Sequence, residues 1–203
     1  MRIAYLTQTY PPMPGAAALF AKQLAEAMTA CGHQVLVITT SDKDYLYHTY
    51  TENLTVVRLS SINDPTHTGE RLFSHPRRAI FIALNHFQPD VIQTYTSIQT
   101  GTAALAYAKR ARVPIILTAH QIPSFRSPYL LSPVIEKIYW WYAGTFLRQY
   151  TVILVPTQAM ENLMTRMTRC KTVLINGGPD PSAIPETFEK YERMYHKLIT
   201  GSG

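Results

Sequence analysis

MRIAYLTQTYPPMPGAAALFAKQLAEAMTACGHQVLVITT, residues 1–40, reads as strand, turn, helix, turn and strand. Arg2 to Thr7 is a short apolar run. Thr9-Tyr10-Pro11-Pro12-Met13-Pro14-Gly15-Ala16 is a turn stiffened by prolines, and Ala17 to Ala30 sets Leu19, Phe20, Leu24, Ala27 and Met28 at helical spacing. Gly32 then ends the helix, because glycine accepts the left-handed conformation after a last turn, and Gln34 to Thr39 is a second apolar run. A strand, a crossover helix and a second strand of the same character make the repeating unit of a parallel sheet.

The unit recurs outward from this stretch. Leu54 to Leu59, Val91 to Tyr95, Ile115 to Thr118, Val152 to Val155 and Thr172 to Ile175 are further strands, rich in Val, Ile and Leu and without clean alternation, as strands covered on both faces are. Pro76 to Phe87, Gly101 to Arg112, Pro133 to Gln149 and Gln158 to Arg169 are the intervening helices. The expected fold is α/β, a single doubly wound parallel sheet with helices on both faces. Ser60 to Ser74 is polar and turn-rich and reads as a long surface loop, and Asn176 to Pro185 interrupts the pattern again. Beyond it, Glu186 to Thr200 is a helix whose stripe of Phe188, Tyr191, Tyr195, Leu198 and Ile199 requires a surface to pack on.

A chain of 203 residues suits one domain, and 46% hydrophobic against 16% charged residues excludes a disordered protein. The 19 Lys and Arg against 13 Asp and Glu leave a net charge of +6, which favours anionic company without choosing among phosphates, acidic lipid headgroups and nucleic acid. Cys31 and Cys170 form no CxxC pair, so both read as reduced thiols, and neither a metal site nor a cofactor is expected. No secretory leader and no apolar run of about 18 residues is visible, which points to the cytoplasm. Gly201-Ser202-Gly203 reads as a linker scar.

Several residues are candidates for chemistry. Gly15 and Ala16 open the first helix, where backbone N–H groups and the helix dipole favour phosphate or a sugar hydroxyl, although a G-x-G-x-x-G dinucleotide fingerprint is absent. His120 and Gln121 lie just past a strand end, where open parallel sheets hold their ligands, as do Gln93 and Tyr95 at the end of another strand. No acidic residue closely follows His120 to support a nucleophilic triad. Trp140 and Trp141 are about 100° apart on their helix, so one of them is expected to cover a partner or membrane surface together with the Arg77-Arg78 pair. Solvated helix ends account for such basic clusters equally simply.

The opening forty residues resemble the start of the retaining GT-B glycosyltransferases of family 4, which share the strand, the Pro- and Gly-bearing turn, the long helix and a G-H-x-V-x-V-x-T segment. Gln88-Pro89-Asp90-Val91-Ile92 resembles the family's P-D-[VI]-[IV] strand, Val113 to His120 its R-x-P-x-[VI]-x-T-x-H segment and Val152 to Thr157 its D-x-[VI]-[IV]-x-[PV]-[ST] strand. Asn176-Gly177 sits where N-G-[IV]-D leads into the family's second domain. Two positions depart from the family: Gly15-Ala16 replaces G-G, and Gln93-Thr94-Tyr95 replaces H-x-H.

The resemblance implies a Rossmann-like acceptor-side domain over residues 1–177 and a connector at 178–185 in place of the donor domain. Residues 186–200 would be the family's closing helix, packed on that same domain, so the expectation is an engineered half of a GT-B enzyme. It also implies transfer of a hexose from a UDP or GDP sugar to a hydroxyl acceptor, a sugar or a lipid. His120 would contact the transferred sugar as the catalytic residue, with Gly15, Ala16, Gln93, Tyr95 and Gln121 binding substrate. Half a cleft is expected to bind nucleotide sugar weakly and not to turn over. Two other readings stay open: a peripheral module on an anionic membrane at the inner face, and a non-catalytic scaffold. Nucleic acid is not an expected partner.

Overall fold

A computed structural model describes residues 1–43, 45–63, 71–95, 99–119, 141, 144–168, 170–175 and 184–201. Its strands are β1 (Arg2–Leu6), β2 (Gln34–Thr40), β3 (Tyr47–Tyr50), β4 (Leu54–Leu59), β5 (Ser61–Asn63), β6 (Arg71–Phe73), β7 (Val91–Thr94), β8 (Ile115–Thr118), β9 (Val152–Val155) and β10 (Thr172–Leu174). Its helices, numbered in chain order, are α1 (Ala16–Ala30), α2 (Pro76–Phe87), α3 (Gln99–Ala111), α4 (Gln158–Thr168) and α5 (Ile184–Ile199).

The main sheet runs β10-β9-β8-β7-β1-β2-β4-β3. Every pairing in it is parallel except β3 with β4. β1 lies between β2 and β7, with Tyr5 opposite Val37 on one side and Gln93 on the other. The chain builds outward from β1 to β2 and β4, then returns to β7 on the opposite side. That reversal places a switch point at the carboxyl ends of β1 and β7, where doubly wound sheets open a crevice.

The strands carry apolar residues on both faces because both are covered. Ala4, Leu6, Ile38, Ile92 and Ile153 pack with Ile80 and Leu84 of α2, Ala104 of α3 and Met164 of α4. Ile3, Tyr5, Val37, Ile116 and Leu154 pack with Leu24 and Met28 of α1 and with Tyr191 and Tyr195 of α5. Each fully buried Leu or Ile contributes roughly 1.5–3 kcal/mol relative to exposure. α1 stops where Gly32 takes φ 81° and its amide donates to the Thr29 carbonyl at 2.9 Å.

Two expectations are corrected. The stretch Ser60 to Ser74 is not wholly loop, since Ser61–Asn63 and Arg71–Phe73 pair as an antiparallel hairpin. Its short strands are too brief for a periodic signal. Tyr47–Tyr50 forms an antiparallel edge strand that the apolar pattern misses because only one of its sides is paired and Tyr50 is 70% exposed. Most of the expected helix Pro133 to Gln149 lies outside the described residues, although 144–147 are helical.

Candidate functional site

The turn from β1 into α1 is the best-defined edge of the crevice. Gly15 caps α1 at φ 128° and ψ 149°, a region that is costly for residues with a Cβ. A Cβ placed there would meet nothing within 4 Å, so the cap faces open space. No side chain caps the helix and its first turn holds no acidic residue, leaving the positive end of the dipole uncompensated. Ala16 is the first helical residue and is exposed.

The turn is braced from below. The Thr40 hydroxyl donates to the Gln8 carbonyl at 2.7 Å, and Tyr10 and Met13 are buried. Arg58, 4% exposed within β4, donates to the Pro11 carbonyl. Its guanidinium carbon lies 5.8 Å from the Tyr10 ring centre and 5.6 Å from that of Tyr47, and Asp42 pairs with it at 3.8 Å. Burial pushes the Tyr10 phenol up to about 12, with Glu26 adding to the rise and Arg58 opposing it. Burial works against ionisation of Asp42, yet the hydrogen bond from Tyr47, a backbone amide and Arg58 together hold its carboxyl below the ordinary value. The sequence signal for this brace is a charged residue inside an apolar strand, Leu54-Thr55-Val56-Val57-Arg58-Leu59.

Gln93 and Tyr95 behave differently from the expectation that they offer unengaged groups to substrate. Gln93 is fully buried. Its amide nitrogen donates to Thr118 Oγ1 at 2.9 Å, and its amide oxygen accepts from the Tyr195 hydroxyl. The residue therefore belongs to the joint between sheet and α5, since its side chain points to the face that this helix covers. The Tyr95 hydroxyl is likewise enclosed, and its ring meets Tyr5 edge-on at 6.3 Å. Burial drives the Tyr95 phenol well above its ordinary value, with Tyr191 and Tyr5 adding to the shift. In this arrangement the polar atoms of both side chains are turned into the protein rather than toward open space.

Ala119 closes β8, its amide donating to the Leu154 carbonyl at 2.9 Å. His120, Gln121 and Trp140 follow outside the described residues. Trp141 is 69% exposed, and Arg77 and Arg78 are exposed in the first turn of α2. A crossover helix runs antiparallel to the strands, so this first turn stands on the carboxyl-end side of the sheet. Among the described residues, the hollow at the ends of β8 and β9, lined by Phe20, Thr118, Pro156, Ile175 and Tyr191, measures about 10 Å³. That is room for about one water.

The comparisons agree with this architecture. The model of Glycosyltransferase Family 4 matches residues 17–183. The alpha-monoglucosyldiacylglycerol synthase of Streptococcus pneumoniae is 25% identical over 171 residues, covering 81% of this chain and 37% of that protein. The enzyme of the same name from Acholeplasma laidlawii is 27% identical over 179 residues, covering 82% of this chain and 43% of its own length. The chain thus spans less than half the length of these curated relatives. Among solved structures, a piece of sucrose-phosphate synthase from Thermosynechococcus elongatus, its residues 27–220 with 406–426, superposes with a TM-score of 0.62 at 16% identity. It covers 98% of this chain and 99% of its own, a likeness of fold. With the family model matching residues 17–183, most of its length, the chain belongs to Glycosyltransferase Family 4.

Proposed function

We propose that this chain is the acceptor-binding half of a retaining glycosyltransferase that moves a hexose from a UDP or GDP sugar to a hydroxyl acceptor. The observation that carries the reading is the open N-terminus of α1 at Gly15 and Ala16, beside the switch point of a family 4 domain. Its backbone donors suit a phosphate or sugar hydroxyl, and His120 and Gln121 would complete the same edge. In this reading residues 178–185 stand in place of a donor domain and α5 is the closing helix. The two-segment sucrose-phosphate synthase piece, one long stretch and one short one, supports that division.

The relatives' name specifies a glucosylated diacylglycerol, which favours a lipid hydroxyl as acceptor and glucose as the transferred sugar. No described helix is long and apolar enough to cross a membrane. A lipid acceptor would then be met from the membrane surface, with exposed Arg77, Arg78 and Trp141 offering charge and interfacial aromatic contact.

The test is a titration of isotopically labelled chain with UDP-glucose and GDP-glucose, followed amide by amide. The expected result is a dissociation constant of about 1 mM, near −4 kcal/mol, because an open half-cleft buries little of a ligand. Shifts should centre on the amides of residues 15–18, and the chain alone should transfer no sugar. Shifts confined to other surfaces, or turnover by the chain alone, would remove the reading.

A further inference from the structure

We propose that His33, Glu192 and His196 form a binding site for a first-row transition-metal dication, Zn²⁺ being the probe, on the side of the sheet opposite the crevice. The inference is independent of the transferase reading. His33 precedes β2, so it stands at the amino ends of the strands. α5 runs down from the carboxyl-end side, where Tyr191 meets Thr118 and Leu154, and brings Glu192 and His196 to His33 in its later turns.

The geometry is that of a three-donor cluster. His33 Nε2 lies 2.9 Å from Glu192 Oε1. The His33 and His196 rings face each other edge-on with centroids 6.1 Å apart. One donor atom from each of the three residues falls within 4.8 Å of the other two. Glu192 and His196 are one helical turn apart and therefore share a face. Ligands about 2.0–2.2 Å from a tetrahedral ion stand about 3.4 Å from one another, so the cluster needs only side-chain rotation to close. His196 is exposed and can supply that rotation, while His33 is 8% exposed and held between α1 and β2.

Two neutral imidazoles and one carboxylate suit zinc and its neighbours far better than magnesium or calcium, which prefer oxygen alone. The fourth position would take water. Cys31 approaches Glu192, but its exposed thiol is not one of the three donors. A simple His33–Glu192 ion pair would account for two of the residues. It gives no role to His196, whose imidazole occupies the third corner. Bound metal would staple α5 to the start of β2, joining residues 159 positions apart.

Untagged, chelator-stripped protein is titrated with ZnCl₂ by calorimetry and by thermal melting, with MgCl₂ as control. The expected result is one Zn²⁺ per chain at micromolar affinity and a Tm that rises with free Zn²⁺, while Mg²⁺ is without effect. His196→Ala should keep the metal-free Tm, because its side chain is exposed, and weaken Zn²⁺ binding at least about tenfold. Glu192→Gln should weaken it similarly, whereas Cys31→Ser should bind as the parent does. Unchanged affinity in His196→Ala, or loss in Cys31→Ser with retention in His196→Ala, overturns the site, as does the absence of any Zn²⁺-dependent shift in the parent chain.

Discussion

The hydroxyl oxygens of Tyr5 and Tyr195 lie 3.2 Å apart, joining the central strand to the last helix across 190 residues of sequence. Tyr195 has one proton and gives it to the Gln93 amide oxygen, so Tyr5 is the donor to Tyr195. Gln93 in turn donates to Thr118 Oγ1 at 2.9 Å, which makes a directed chain from β1 through α5 to β7 and β8. Every member is at most 3% exposed, so each polar group depends on its neighbour for satisfaction.

Tyr195→Phe should therefore destabilise the fold by about 1–3 kcal/mol, since both Tyr5 and Gln93 lose a partner where water cannot replace it. Urea denaturation of the two proteins measures the difference. Equal midpoints and slopes would mean that α5 is held by its apolar stripe alone.

Alkaline titration should separate two groups among the 13 tyrosines. Burial raises the phenols of Tyr5, Tyr95, Tyr191 and Tyr195, while Tyr10 and Tyr150 are pushed up to about 12 by burial in the first place. A raised folded value means that the contribution to stability is complete below the ordinary phenol value and is lost as pH rises beyond it. Phenolate absorbance of the buried set should thus appear together with loss of far-ultraviolet ellipticity. Ionisation of all tyrosines in a still-folded chain would contradict it.

Gly15→Ala should cost about 1–3 kcal/mol although the added methyl has open space, because the penalty lies in the backbone at φ 128°. Ala16→Gly, at the exposed first residue of the helix, should cost less than about 1 kcal/mol. Thermal melts of the pair check the order, and a larger loss for Ala16→Gly would reverse the argument.

Asp42→Asn should destabilise the chain at neutral pH and approach the parent's stability in acid. The Asp42 carboxyl is held below its ordinary value, so its contribution is present above that value and is lost as pH falls through the lower folded one. Arg58→Ala should be the more damaging change, about 2–4 kcal/mol, because it also removes the Pro11 brace and the contacts with Tyr10 and Tyr47. Denaturant midpoints measured at successive pH values for parent and Asp42→Asn test the convergence.

Local pattern was enough for most of the architecture. The strands at Arg2–Leu6, Leu54–Leu59 and Val152–Val155 and the helix at Pro76–Phe87 follow from apolar runs and proline placement, and they stand within a residue of where the pattern puts them. Gly15 likewise stands at the opening of the first helix, where the proline-rich turn and the helical stripe put it, but its backbone angle of φ 128° is seen only in the structure. The role of Arg58 was not legible. A charge in an apolar strand shows that something must compensate it, but Asp42, Tyr47 and the Pro11 carbonyl are supplied by other segments.

What the sequence determines by itself is periodicity: which residues are apolar, at what spacing, and hence that strands alternate with helices and that the last helix carries an aromatic stripe. Which groups meet is decided only by the tertiary structure. Gln93 looks like a crevice residue from its place at a strand end, yet the strand's pleat turns its amide toward Tyr195, 102 residues away. Glu192 and His196 have helical spacing, but nothing in the sequence joins them to His33, which follows another helix. Side-chain direction and long-range contact depend on how covered faces stack, and that stacking is a property of the folded sheet as a whole.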